Sequence, residues 1–148
     1  MSESIKELIR KGLEFHELGK MKDALKCFDK ALKIDSNSVE ALINKGNTLI
    51  GMGKEKKALS YFSKVLEIDP ENLEALTNKG LVLAITGKPK EALEHVEKVL
   101  EKDPKSAKAW FTKGLSLHLL GRDKEASECL RQAVQIDPSY YGHMMSLI

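Results

Sequence analysis

Apolar residues recur at helical spacing along this chain, in short blocks separated by glycine or by Asp-Pro. Within VEALINKGNTLIGM, Leu42, Gly46 and Leu49 fall on one helical face, which predicts a first helix. Gly53 is placed to end it in the left-handed conformation that follows many helices. In the next block, KEKKALSYFSKVLEI, the apolar stripe of Ala58, Leu59, Phe62, Val65 and Leu66 predicts a second helix. Asp69-Pro70 stops it, because proline disfavours helix in the residue before it. Ser38, Asn72 and Ser106 stand where a side-chain oxygen would cap the following helix, and Ser4 with Glu7 has the spacing of a capping box.

The same two-helix pattern returns every 34 residues. Gly12, Gly46, Gly80 and Gly114 keep this step, as do Gly19, Gly53, Gly87 and Gly121, so eight of the ten glycines fall in two columns. Ala24, Ala58, Ala92 and Ala126 form a third column, and Asp35, Asp69, Asp103 and Asp137 a fourth. The period divides the chain into repeats at 5–38, 39–72, 73–106 and 107–140, followed by a short C-terminal helical stub at 141–148. Glycine inside a helix costs about 1 kcal/mol against alanine. Its recurrence in the first helix of every repeat therefore predicts a packing demand: two antiparallel helices crossing where one side chain must be small.

Trp110, Gly114, Leu117, Ala126, Leu130, Ala133 and Pro138 give the fourth repeat a pattern that resembles the tetratricopeptide repeat family, and the resemblance covers about nine tenths of the chain. It implies an all-α fold, a right-handed α-solenoid of antiparallel helix hairpins forming one domain. Some positions depart from the family pattern. Lys11, Lys45, Lys79 and Lys113 stand before the first glycine column, where leucine is usual; Ser36 replaces proline and Ser127 an aliphatic residue. The lysine column has two readings: aliphatic stems that cover an apolar seam while the ammonium reaches water, or a functional basic stripe.

In the family the first helix of each repeat lines a concave groove that holds a peptide or a partner helix. Carried over by position, the groove takes Lys6, Ile9, Arg10, Leu13 and His16 from the first repeat, and Glu40, Ile43, Asn44, Asn47 and Ile50 from the second. The third supplies Glu74, Thr77, Asn78, Leu81 and Ile85, and the fourth Lys108, Phe111, Thr112, Leu115 and Leu119. Exposed Ile9, Leu13, Ile43, Leu81, Phe111 and Leu115 would make an apolar patch suited to a partner with an apolar face. In the opposing reading these side chains mostly cover one another. A subfamily holds acidic chaperone tails with two asparagines and three basic residues. Asn47, Asn78 and Lys108 match that clamp, but Ile43 and Thr112 stand where it needs cations. Asn44 and Asn78 occupy equivalent places and have two readings: amides that hydrogen-bond an extended peptide backbone, or solvated asparagines filling a consensus slot.

Composition narrows the function further. A net charge of +2 with 31% charged residues of mixed sign argues against a nucleic-acid partner and against polybasic docking on a membrane. No apolar run approaches the ~18 residues of a membrane span, and MSESIKELIRKG lacks the apolar core of a signal peptide, so the expected location is cytoplasmic. Cys27 and Cys129, and likewise His16 and His118, share columns three repeats apart, too distant for a disulfide or a shared metal. His95 and His143 lie in no HExxH pattern, and the Gly-Lys pairs at Gly53 and Gly87 lack the rest of a phosphate loop. The expectation is a non-enzymatic scaffold or adaptor with no cofactor and no metal, binding an unknown protein or peptide. The alternative is a homo-oligomeric scaffold that self-associates through its groove or its C-terminal end, where Met144, Leu147 and Ile148 are placed to cover the fourth repeat.

Overall fold

Residues 3–147 are described in a computed structural model, and among them all regular structure is helical. The elements are α1 (Ile5–Glu17), α2 (Met21–Ile34), α3 (Val39–Gly51), α4 (Glu55–Ile68), α5 (Leu73–Ile85), α6 (Pro89–Lys102), α7 (Ala107–Leu119) and α8 (Asp123–Ile136). A 3-10 turn at Pro138–Tyr140 then leads into α9 (Tyr141–Leu147). The chain divides into two compact units, Met1–Ala75 and Leu76–Ile148, with the division inside α5. In the first unit α1 packs on α2, α2 on α3 and α3 on α4. In the second, α6 packs on α7 and α7 on α8, while α9 lies against both α7 and α8.

The glycine columns have separate physical causes. Gly12 lies where an added Cβ would come 2.4 Å from the Phe28 ring; at Gly46 the corresponding approach to Phe62 is 2.6 Å. At Gly114 the Leu130 side chain stands 2.8 Å away, and at Gly80 the smaller Val96 stands at 3.1 Å. Each helix hairpin therefore closes with a bulky side chain of its second helix laid on the bare backbone of its first. Phe28, Phe62 and Val96 are fully buried in this position, as are Ala24, Ala58 and Ala92 one turn earlier. The other column is conformational. Gly19, Gly53, Gly87 and Gly121 have φ of 76°, 75°, 93° and 79°, with nothing near a built Cβ. In the first hairpin the Gly19 amide donates to the His16 carbonyl at 3.0 Å and the Lys20 amide to that of Phe15 at 2.8 Å. This is the paired bonding of a Schellman helix end, and it recurs at Gly53, where the Gly53 and Lys54 amides bond the Ile50 and Leu49 carbonyls.

The aspartate column ends the second helices by a device that periodicity alone does not reveal. Asp35 Oδ1 accepts from the Asn37 amide at 3.0 Å while its carbonyl accepts from Ser38 at 3.2 Å. Asp69, Asp103 and Asp137 repeat the side-chain bond with Glu71, Lys105 and Ser139. The carboxylate thus orders the turn whether proline follows or not, which explains why Ser36 is tolerated. The caps then start the next helices: Ser38 Oγ, Asn72 Oδ1 and Ser106 Oγ accept from Ala41, Ala75 and Ala109 amides at 3.3, 2.9 and 3.2 Å. Ser4 Oγ accepts from the Glu7 amide at 3.2 Å at the start of α1.

Three lysines of the column, Lys11, Lys45 and Lys113, meet specific partners rather than plain solvent. Lys45 Nζ lies 2.5 Å from Asp29 Oδ1 and 4.5 Å from the Tyr61 ring centroid. Burial works against its charge, but the bonds to Asp29 and Tyr61 outweigh it and hold the ammonium above the ordinary lysine pKa. Lys11 pairs with Glu3 at 2.7 Å, and Lys113 Nζ lies 5.6 Å from the Trp110 ring centroid. Lys45 and Lys113 thereby use the stem as packing and the head as a clasp over aromatic rings.

Two predictions separate the glycine roles. Gly12→Ala and Gly46→Ala force a methyl into a buried ring, so each is expected to destabilise by about 1–3 kcal/mol despite a better helix former. Gly80→Ala needs only a small shift of Val96 and is expected to be nearly neutral. Urea denaturation of the three variants checks this order. Gly53→Ala meets no atom but places Cβ in the left-handed region, and is expected to lose about 1–2 kcal/mol. Gly51→Ala, two residues earlier and 3.4 Å from Met21 Cε, is expected to leave the melting temperature unchanged or raised.

Candidate functional site on the first helices

The residues expected to line a groove fall into both units. In the first unit, α1 and α3 shape two depressions. One, of about 590 Å³, is lined by Ser4, Lys6, Glu7, Ile9, Arg10, Leu13, Glu14, Glu17 and Glu40. The other, of about 460 Å³, is lined by Leu13, Val39, Glu40, Ile43, Asn44, Asn72 and Glu74. Leu13 and Glu40 belong to both. Eight sequence-predicted residues, Lys6, Ile9, Arg10, Leu13, Glu40, Ile43, Asn44 and Glu74, therefore line the two depressions, while Asn47 on α3 is half-buried and lines neither.

The expectation of an exposed apolar patch needs correcting. Leu13 is 40% exposed, but Ile9 and Ile43 are 4% and 5% exposed. They form a floor against the helix neighbours beneath and offer little surface; Ile9 belongs to the core cluster with Leu8, Ala24 and Phe28. Leu81, Phe111 and Leu115 are half-buried. The groove is a shallow apolar floor with one protruding aliphatic side chain. Its rim was undervalued in the sequence: Glu7, Glu14, Glu17, Glu40 and Glu74 line the depressions against only Lys6 and Arg10 as cations. Arg10 is taken by Glu14 at 2.8 Å, an exposed pair worth well under 1 kcal/mol.

In the second unit the predicted polar residues are turned inward. Thr77, Asn78 and Thr112 are buried. Thr112 Oγ1 donates to the Lys108 carbonyl at 2.8 Å, and Ser116 Oγ to that of Thr112 at 2.8 Å, the local bonding by which hydroxyls are accommodated in a packed helix. Lys108 Nζ donates to Asn78 Oδ1, so two of the three residues that matched a carboxylate clamp are bonded to each other. Phe111 is covered by the chain's own end: its ring lies 5.3 Å from that of Tyr140 and 5.6 Å, edge-on, from that of His143. Leu147 reaches a small cavity with His118, Asp123, Ala126 and Leu130; Met144 is half-buried, Met145 exposed, and Ile148 lies outside the described residues.

Residues able to carry chemistry have structural partners. His16 Nδ1 is 3.0 Å from Thr48 Oγ1, and His118 Nδ1 is 2.9 Å from Asp123 Oδ1. Cys27 and Cys129 are buried free thiols whose pKa values are pushed up by burial, which keeps them protonated and weakly nucleophilic. Among the described residues no three metal-binding side chains converge, and no helix is long and apolar enough to cross a membrane.

Comparisons with known proteins agree with this architecture. Family models described as tetratricopeptide repeat match residues 5–38, 39–72 and 77–141. Comparison with curated proteins gives no match. Among solved structures, MamA residues 41 to the end from Desulfovibrio magneticus RS-1 is 26% identical, covering 99% of this chain and 85% of that one with a TM-score of 0.80. A thermophilic TPR protein of Thermus thermophilus is 23% identical over 97% of this chain and 81% of its own, with a TM-score of 0.86. A tetratricopeptide repeat protein of Parabacteroides merdae shares the fold at 23% identity and a TM-score of 0.82, with 97% of this chain covering 57% of that one. With hairpins closed on a glycine column and family models spanning most of its length, the chain belongs to the tetratricopeptide repeat family.

Proposed function

We propose that this protein is a non-catalytic interaction scaffold that binds a peptide or a helix of a protein partner on the α1–α3 face of its first unit. The observation that carries the reading is the pair of depressions sharing Leu13 and Glu40, with Ile9 and Ile43 beneath and Asn44 beside them. Leu13 is an exposed aliphatic side chain over an apolar floor, the arrangement in which one partner side chain is gripped on several sides. Asn44 is half-buried and can offer its amide to a peptide backbone. The tetratricopeptide repeat family and the protein MamA among the structural neighbours support a scaffold in general terms. The buried Thr77, Asn78 and Thr112 and the self-covered Phe111 favour the first unit over the second as the place of contact.

Selection of peptides from a displayed library on the intact protein tests this. Selected peptides are expected to lose at least about tenfold in affinity, ~1.4 kcal/mol, on Leu13→Asp. They are expected to bind Ile34→Ser, changed at an exposed residue of α2, as they bind the parent protein. Peptides indifferent to Leu13→Asp would contradict the reading.

A further inference from the structure

We propose that the α1–α3 groove takes a segment in which aliphatic side chains alternate with lysine or arginine, an inference that rests on the binding face described above. The aliphatic groups seat against Leu13 and Ile43, and the cations face a rim of carboxylates. Glu17, Glu40 and Glu74 line the depressions, and none of the three makes an ion pair among the described residues. Glu40 and Glu74 stand in the first turns of α3 and α5, where the helix dipole favours an anion, so helix formation alone accounts for them.

Glu17 has no such account. It is the last residue of α1, where the dipole disfavours negative charge, and Glu14 one turn before it is likewise misplaced for helix stability. Glu14 recovers a partner in Arg10, whereas Glu17 does not. Carboxylates gathered around a floor of low polarity also focus a negative potential into the groove. That potential is local, because the chain as a whole carries a net charge of +2. The occupant that answers both features is cationic and aliphatic. An acidic tail of the kind held by a carboxylate clamp would meet repulsion here.

Three fluorescent peptides of about twelve residues test the inference on the full chain: leucine alternating with lysine, with glutamate or with serine. Anisotropy is expected to show the lysine peptide binding at least about tenfold more tightly than the glutamate peptide, and more weakly as salt is raised. The double variant Glu17→Gln with Glu40→Gln is expected to remove most of that preference, while Asp23→Asn with Glu67→Gln, exposed on α2 and α4 and outside the groove lining, leaves it intact. Equal binding of all three peptides that still depends on Leu13 would overturn the charge inference and keep the groove. Binding of the lysine peptide that ignores Glu17 and Glu40 would also overturn it. Failure of every peptide to bind, with unchanged amide spectra along α1 and α3, would overturn the groove reading itself.

Discussion

Closing a helix hairpin tightly requires one backbone to go bare where the other helix crosses it. Here Phe28, Phe62, Val96 and Leu130 each lie on a glycine of the preceding helix at distances a methyl group could not share comfortably. The contact removes a large side chain from water and fixes the separation of the two helices with a dense, directional fit. Other features follow from that fit. The alanines at Ala24, Ala58, Ala92 and Ala126 allow the second helix to approach along the next turn. The left-handed glycines return the chain within a few residues, and the Asp turns deliver it to a capped start of the next helix. With the hairpin interior settled, the outward face of α1 and α3 is settled too, and that face carries the depressions.

Much of this was legible in the sequence because glycine at fixed period has few meanings. A glycine in the middle of an apolar helical stripe signals close approach; one at the stripe's end signals a left-handed turn. Both readings agree with the structure, as do the caps at Ser38, Asn72 and Ser106. The Asp column was visible, but its hydrogen bonds to the second following amide were not, since spacing does not say which way a carboxylate turns. Depth was the other illegible quantity. Helical periodicity assigns Ile9 and Ile43 to a face, yet both sink into the floor, and Thr77, Asn78 and Thr112 are polar residues held inside the second unit. A hydroxyl that bonds its own helix carbonyl, as Thr112 does, is polar in sequence and apolar in effect.

Charge gives the same lesson at another scale. The chain totals conceal a local arrangement, because Lys11, Lys45 and Lys113 meet partners within their units while Glu17, Glu40 and Glu74 line the outward depressions. Lys45 illustrates the division: its charge is spent on Asp29 and the Tyr61 ring within the unit, not offered to a partner. The depressions on the outward face are lined by aliphatic side chains and five carboxylates against the two cations Lys6 and Arg10. That lining differs from a clamp for acidic tails, although Asn47, Asn78 and Lys108 match part of such a clamp by position.

The central claim is that the bare backbone at the crossing and the bulky side chain laid on it form one unit of packing. A double-mutant cycle on Gly46 and Phe62 measures that coupling most directly. Gly46→Ala and Phe62→Val should each destabilise alone, one by overlap and the other by the space it leaves. Combined, the smaller valine leaves room for the methyl, as Val96 does at Gly80, where an added Cβ would stand 3.1 Å away, so the account predicts a double variant at least ~1 kcal/mol more stable than the sum of the two losses allows. Losses that add within about 0.5 kcal/mol would contradict it.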